Sequence, residues 1–408
     1  MKKTFLSALL LATALTTGGA KAETIFEALS TAYDTNPTLQ AQRAYLRSVD
    51  ENVAIAKSGF RPNIYLTGGY SDSDVHNNNV PSQTGGATLS AGAKISQPVF
   101  SGFTTVNSVK SADSMVRAEQ NNLYNTEQGV FLDSSTAYLD VVRDEAIVNL
   151  QKNNEKLLKK RLDETVERFN VGEVTRTDVS QAQARYSQAK ADRIASEGNL
   201  QASKAVYTRV IGEAPKDLSE PENLGDFIPA SFQEALEYTK ANNYSIRYAR
   251  ELLNSRVYDV AANTGALLPS VTLDGSATTS KSDSSGSAYG AYNRDTKVDE
   301  VQWGVNMNIP LYTAGETRAK IRQSKYQKWQ AQELVLEAER QAVSDVTSAW
   351  ELMTSNKAQI KSIKDQVKAN EIALDGVQKE EALGNRTILD VLDAYQELLN
   401  SNVNEVKA

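Results

Sequence analysis

Two carboxylates near the end of the chain have a spacing that could support chemistry. Asp390 and Asp393 lie three residues apart in the segment GNRTILDVLD, which begins at Gly384 and contains Arg386. Such a pair can act as acid and base, form half of a metal site, or belong to a solvated helix face. A related segment, GEVTRTDVSQ, has Asp178 at the position of Asp390 and a glutamine at the position of Asp393. One short segment is therefore present twice, with an additional carboxylate in the second copy.

The composition restricts what this pair can do. The chain has no cysteine and one histidine, His76, which lies in the polar stretch SDSDVHNNNV. Disulfides, thiolate catalysis and histidine-based metal sites are therefore excluded, and His76 is interpreted as a solvated loop residue. There is no glycine-rich phosphate loop, and rod-like helices supply no pocket for a carboxylate hydrolase. We therefore predict that the chain is not an enzyme and has no cofactor or resident metal.

The first residues have the pattern of a secretory signal peptide, predicted at 1–22. A basic start and an apolar centre precede the small-residue cleavage pattern Ala20-Lys21-Ala22. The apolar run is shorter than the roughly 20 residues that a membrane-spanning helix needs. A lipid anchor is not expected, because no cysteine lies near the cleavage point. Removal of the signal peptide leaves 41 basic residues (44 minus three) against 51 acidic ones. A formal charge of −10 argues against nucleic acid or an anionic lipid surface as the main partner.

The remainder of the chain is one unit repeated in tandem. Four pairs of segments recur in the same order: FEALSTAYDTNP with FQEALEYTKANNY, FRPNIYLTGGYS with LLPSVTLDGSAT, QPVFSG with IPLYTAG, and the two glycine-containing segments above. Matched positions are 207 residues apart in the first two pairs and 212 apart in the last two. The predicted organisation is a first repeat at 23–212, a proline-rich linker at 213–231 and a second repeat at 232–408.

Each repeat is predicted to be mainly helical. The first helical segment, 24–58 or 232–265, is interrupted near Asn36-Pro37 in the first copy, since a residue that precedes proline resists helix. Long proline-free stretches predict helices near 103–170 and 316–383, and 65 helical residues would extend about 98 Å. Their lengths and a seven-residue apolar repeat in the second copy suggest coiled coil. The turn glycines, Gly172 and Gly384, would cap these helices, and return helices would follow near 175–212 and 386–408.

Between the helices, apolar and polar residues alternate with the period of a strand. Short strands are predicted within about 62–100 and 269–310, with polar loops at 72–87 and 280–299. Four strands have two open edges, which cannot lie in lipid, and closed barrels begin at about eight strands. Several chains must therefore share one barrel, although hairpins of a soluble β-sandwich would show the same alternation. Trp303 and Tyr312 are either membrane-interface anchors or ordinary packing residues.

With these features together, the sequence resembles the TolC family of outer-membrane efflux and secretion channels over nearly the whole mature chain. The residues that carry the resemblance are FEALSTAYDTNPTL, QPVFSG, RFNVGEVTRTDV and GNRTILDVLDA. The resemblance implies a homotrimer whose transmembrane strands form a 12-stranded outer-membrane β-barrel, continuous with a periplasmic tunnel of long coiled-coil helices. It also implies the outer membrane of a Gram-negative bacterium, a periplasmic adaptor (membrane fusion) protein, and an inner-membrane ABC or RND transporter.

The same resemblance assigns roles to the second turn segment. In that family the inner helix pair of the second repeat closes the tunnel tip and opens like an iris. By position, Asp390 and Asp393 would form two stacked carboxylate rings that attract cations; the alternative is a solvated helix face. Arg386 would hold the closed state by bonding to the first-repeat turn at Thr177 and Asp178, or it is a free surface charge.

Two features depart from the family pattern. A tyrosine is frequent three residues before the second turn glycine, where this chain has Glu381, so that contact is absent or replaced. The last helix is also 15 residues shorter than its first-repeat counterpart, which leaves a truncated sequence as one explanation.

The function that the sequence predicts is the outer-membrane exit duct of a tripartite efflux pump or a type I secretion system. The alternative is a structural coiled-coil protein of the periplasm or the cell surface. Drugs, metals and proteins all remain candidates for the exported substrate.

Overall fold

The computed structural model describes residues 22–76, 83–221, 228–286 and 293–408. The predicted signal peptide lies outside the described residues except for Ala22, and so do the central parts of the linker and of both predicted polar loops. Its cleavage therefore stays a prediction.

The described elements follow one order that occurs twice: two helices, two strands and two helices. The elements are α1 (Ile25–Thr35), α2 (Pro37–Ser58), β1 (Asn63–His76), β2 (Gln83–Ser101), α3 (Thr104–Asn170), α4 (Arg176–Ile211), α5 (Phe232–Asn242), α6 (Tyr244–Gly265), β3 (Ser270–Gly286), β4 (Asn293–Asn308), α7 (Glu316–Ala382) and α8 (Ile388–Lys407). The long helices α3 and α7 have 67 residues each. The predicted class, mainly helical with four strands and very long helices, is confirmed.

Both copies of the first helical segment are broken at an asparagine. Asn36 separates α1 from α2 in an extended conformation, and its side-chain amide donates to the carbonyl oxygen of Val210 at 2.8 Å. Asn243 separates α5 from α6, and its side-chain oxygen accepts from the backbone N–H of Ile246 at 3.1 Å. The prediction of an unbroken helix over 232–265 is therefore wrong. No proline marks the second break; the capping ability of asparagine accounts for it.

The four strands form one antiparallel sheet in the order β1-β2-β3-β4. They have 14, 19, 17 and 16 residues, so they are longer than the alternating stretches that predicted them. Much of the polar sequence assigned to loops at 72–87 and 280–299 is strand, and His76 pairs with Gln83 rather than lying in a loop. Ladder hydrogen bonds use backbone groups, so serine, aspartate and glycine do not end a pairing that neighbouring strands support.

One face of this sheet is apolar, and it is exposed in the single chain. The register sets Leu66 opposite Ala93, Ala93 opposite Ala277, and Ala277 opposite Val301, so these residues share one face. Leu66 is 85% exposed and Trp303 of the same face is 81% exposed. The opposite face carries the polar set: Thr67, Gly69, Ser90, Lys94, Gln302 and Asn306. The alternation is therefore genuine, but none of the described residues covers its apolar side.

The chain divides into two compact units, and each draws on both repeats. One consists of Met1–Gln40, Glu127–Pro229 and Ala349–Ala408; the other consists of Ala41–Thr126 and Ala230–Ser348. The first contains α1, α4, α8 and the carboxyl-terminal parts of α3 and α7, and the second contains the sheet. Of the helices that the structure describes, none combines the length and the apolar character needed to cross a bilayer.

Candidate functional site

The two long helices end in the same backbone motif, in the unit that contains α4 and α8. Gly172 has φ +83° and Gly384 has φ +76°, in the left-handed region that glycine adopts without a steric penalty. After α3, the N–H of Glu173 donates to the carbonyl oxygen of Arg168 at 2.9 Å. After α7, the N–H of Asn385 donates to the carbonyl oxygen of Glu380 at 2.9 Å. These six-to-one hydrogen bonds define a Schellman cap, which reverses the chain within a few residues.

The return helices then begin with a matching capping box. In α8, the Thr387 hydroxyl accepts from the N–H of Asp390 at 3.2 Å, while the Asp390 carboxylate accepts from the Thr387 N–H at 2.9 Å. Thr175 and Asp178 form the same box at the start of α4. The hydrogen bonds from the Thr387 N–H and hydroxyl, together with the nearby charge of Arg386, hold the pKa of Asp390 below its usual range. The carboxylate that both copies share is thus a helix cap, and the depressed pKa of Asp390 keeps that carboxylate ionised at neutral pH.

The second carboxylate of the pair has a different environment. Asp393 lies one turn further along α8, and its Oδ1 is 2.5 Å from the Nη2 of Arg185 on α4. Both side chains are partly exposed, at 53% and 37%. Among the described residues, no group of three or more histidines, cysteines, aspartates or glutamates is arranged to hold a metal ion. Asp390 and Asp393 therefore do not form an acid–base pair; one caps a helix and the other pairs with an arginine.

Arg386 lies in the second turn and contacts its own helix α7. Its Nε donates to the Oε2 of Glu380 at 2.8 Å, and this bond raises the pKa of Arg386. Within one chain Arg386 is not bonded to Thr177 or Asp178, the two partners that the resemblance implies.

A different arginine links the two turns within the chain. The Nη1 of Arg168, in the last turn of α3, donates to the Oε1 of Glu381 on α7 at 2.6 Å. Its Nε also donates to Glu173 at 3.2 Å. The bond to Glu381 is the main cause of a raised pKa of Arg168. Partial desolvation of the guanidinium opposes this rise, and the bond to Glu173 adds to it. Sequence reasoning missed this ion pair, although it singled out Glu381 as a departure from the family pattern.

A tyrosine joins three helices in the same unit. The hydroxyl oxygen of Tyr395 on α8 accepts from Arg161 of α3 at 3.1 Å and from Gln378 of α7 at 2.6 Å. The guanidinium carbon of Arg161 lies 5.6 Å from the centre of the Tyr395 ring, within the range of a cation–π contact. Nothing in the local sequence around Tyr395 predicted these contacts, since its partners are 234 and 17 residues away.

An apolar cluster lies beside these polar contacts. Its buried members come from α3, α4 and α8: Leu158, Leu162, Ala182, Ala189 and Leu392. Leu157, Tyr186 and Ile388 pack against it. The second-repeat pair α7/α8 is therefore held against the first-repeat pair α3/α4 by apolar packing together with three polar contacts, at Glu381, Asp393 and Tyr395.

Comparison with known proteins assigns the chain to a family. The model of the outer membrane efflux protein family matches residues 28–213 and 235–408. The chain is 37% identical over 404 residues to the outer membrane efflux protein BepC of Brucella suis biovar 1, an alignment that covers 98% of this chain and 85% of BepC. It is 29% identical over 245 residues to the proteases secretion protein PrtF of Dickeya chrysanthemi, which covers 58% of this chain and 52% of PrtF.

A solved channel has the same fold. The structure superposes on the Campylobacter jejuni CmeC outer membrane channel with a TM-score of 0.82 at 16% identity, over 94% of this chain and 82% of CmeC. At this identity the superposition establishes the fold, and the family match and BepC establish the relationship. The chain belongs to the outer membrane efflux proteins, a family of outer-membrane channels of Gram-negative bacteria.

Proposed function

We propose that this chain is the outer-membrane exit duct of a tripartite efflux pump or a type I secretion system. The observation that carries the proposal is the four-stranded sheet, which has one exposed apolar face, one polar face, and β1 and β4 as its edge strands. In lipid, an unpaired edge costs several kcal/mol for each backbone group. Pairing β4 of one copy with β1 of the next removes both edges without any change in the chain.

Three copies fit this closure best. Two copies would form an eight-stranded barrel, whose interior is filled by side chains, whereas three form twelve strands with room for a lumen. The apolar alternation of β4 begins at Val301 and ends at Met307, and it continues at Ile309 directly after the strand. At about 3.4 Å per residue, 301–309 extends roughly 27 Å, and at a strand tilt of about 40° this length covers roughly 21 Å of the apolar band of about 25 Å in outer-membrane barrels. Trp303 and Tyr312, which are 81% and 87% exposed, are then side chains at the membrane surface.

The turns after α3 and α7 are the proposed gate. We place Asp390 and Asp393 of three copies around the tunnel entrance, where their carboxylates attract cations. The contacts of Arg168 with Glu381 and of Tyr395 with Arg161 keep α7/α8 on α3/α4 in each copy, and this arrangement is the closed state.

A second contact of the closed state lies between copies. Arg386 is half exposed at 50%, so it can exchange Glu380 for Thr177 and Asp178 of the adjacent copy. The Oδ2 of Asp178 already caps α4, which leaves the other carboxylate oxygen for Arg386.

The partners that we propose are a periplasmic adaptor protein and an inner-membrane transporter of the ABC or RND class. The relatives support both branches, since one is named for efflux and another for the secretion of proteases. Substrate choice belongs to the transporter, so drugs, metals and proteins remain open as cargo.

Purification and planar-bilayer recording test this function together. We expect a protein that requires detergent, has the mass of a trimer, keeps its β-structure on heating, and conducts ions when inserted in a bilayer. A water-soluble rod without conductance would refute the duct and favour the structural coiled-coil alternative.

A further inference from the structure

We propose that Arg185 sets the cation affinity of the tunnel entrance, because it neutralises Asp393 within each chain. This inference rests on the proposed function, since it concerns the same carboxylate rings. It adds a residue from the first repeat that does not belong to either turn and that the sequence analysis did not consider.

The contact is direct and joins two return helices. Arg185 lies on α4 and Asp393 on α8, 208 residues apart in sequence, with 2.5 Å between Nη2 and Oδ1. The apolar cluster, which includes Ala182 and Ala189 of α4 and Leu392 of α8, packs these two helices together. The arginine is therefore held opposite the carboxylate by the same surfaces that define this part of the fold.

The charges of this pair differ between the repeats. At the offset of 212 residues, the first-repeat counterpart of Asp393 is Gln181, and the second-repeat counterpart of Arg185 is Glu397. Neither charge is thus part of the structure that the two copies share. The additional carboxylate of the second copy is matched by an additional arginine in the first copy.

The two aspartates consequently contribute differently to the field at the entrance. Asp390 accepts from the N–H and the hydroxyl of Thr387, which are neutral donors. The nearby Arg386 is itself paired with Glu380, so the charge of Asp390 is not offset by a bonded arginine. Asp393 is offset by the positive charge of Arg185. Three copies then carry six carboxylates but three paired arginines, and the net charge of the rings is about half of what the carboxylates alone would produce.

The pair is also weak enough to exchange. Ion pairs whose partners are both accessible to water are marginal and are screened by salt, and Asp393 and Arg185 are 53% and 37% exposed. A divalent cation at the entrance therefore competes with Arg185 for Asp393. Removing the guanidinium removes that competitor and frees three more carboxylates for the cation.

Block of the channel by Mg²⁺ alone tests this assignment, in planar bilayers containing the full-length protein. We expect Arg185→Gln to lower the blocking concentration of Mg²⁺ by about 1.5- to fivefold, the effect of an exposed charge pair. Arg185→Lys should keep wild-type block because it keeps the charge. Arg185→Gln combined with Asp393→Asn should show the block of Asp393→Asn alone, since the carboxylate that the arginine acts on is missing.

Arg176→Gln is the matched control, because Arg176 is an exposed arginine on the same helix. Equal effects of Arg176→Gln and Arg185→Gln would overturn the inference in favour of a general charge effect. Wild-type block in Arg185→Gln, while Asp393→Asn weakens block, would overturn it and leave the channel function intact. Absence of conductance in the wild-type trimer would instead refute the proposed function. Trimer mass and circular dichroism of each variant identify misfolding. Arg185→Met, which keeps a long side chain without its charge, replaces the glutamine variant if that variant does not assemble.

Discussion

The ion pair between Arg168 and Glu381 offers the sharpest test of the proposed gate. Its Nη1 and Oε1 atoms are 2.6 Å apart, and the Glu381 side chain is 16% exposed while that of Arg168 is 42% exposed. At an effective dielectric constant of about 20, Coulomb's law gives an attraction of roughly 6 kcal/mol at that distance. Desolvation of the two charges offsets most of this attraction. The net contribution of exposed ion pairs to stability is therefore only about 0.2–1 kcal/mol, and breaking a buried pair costs about 3–5 kcal/mol.

The expected loss in Glu381→Gln lies between these limits. Arg168 keeps Glu173 as a partner at 3.2 Å, so its charge is not left without compensation. We expect the variant to destabilise the closed state by about 1–2 kcal/mol, which changes the ratio of open to closed channels by about five- to 30-fold. Single-channel recordings measure this ratio directly, and the sensitivity of cells to large antibiotics should rise in parallel.

Two further variants make this test specific. Glu173→Gln removes the other partner of Arg168. The side chain of Glu173 is 61% exposed, so we expect this variant to raise the open fraction less than Glu381→Gln does. The charge swap Arg168→Glu with Glu381→Arg should restore much of the closed population. The reasoning is refuted if Glu381→Gln and Glu173→Gln have the same open fraction, or if the swap behaves as the sum of its single changes.

Three other outcomes are expected. Gly384→Ala should destabilise the turn by about 1–2 kcal/mol, because a side chain at φ +76° is strained even without a steric clash. Gly376→Ala within α7 should instead stabilise the helix by about 0.5–1 kcal/mol. Thermal unfolding of both variants measures the contrast. The pKa of Asp390 is depressed in the folded state, so the stability that its carboxylate contributes should be complete above the ordinary pKa of 3.8 and be lost as the pH falls through the folded-state pKa. The difference in unfolding temperature between wild type and Asp390→Asn should therefore be constant from pH 7 to 5 and shrink at lower pH. Arg386→Ala should raise the open fraction of the channel, and unchanged recordings would mean that Arg386 does not lock the gate.

The features that sequence reasoning recovered are those with a local cause. Absence of proline over long stretches predicts long helices, and alternation of apolar with polar residues predicts strands because neighbouring side chains point to opposite faces. The class of the fold followed from these patterns and from the repeated segments, and the family followed from the resemblance that the turn and junction segments carry.

The errors have local causes as well. The break at Asn243 was missed because no proline follows it, and asparagine alone is an ambiguous signal. The strands were predicted too short, because residues such as Asp283 and Ser284 resemble a loop by composition. Their backbones nevertheless pair with adjacent strands, and that pairing depends on neighbours distant in the chain.

The sequence by itself determined the helix turns and the two faces of the sheet. Glycine with a following Thr-x-x-Asp caps and reverses a helix whatever surrounds it, since every group involved lies within a few residues. Only the tertiary structure decided which charges meet. Arg168 pairs with Glu381 across 213 residues and Arg185 with Asp393 across 208, because the packing of α3, α4, α7 and α8 sets these side chains opposite one another. Two aspartates three residues apart thus became a helix cap and half of an ion pair.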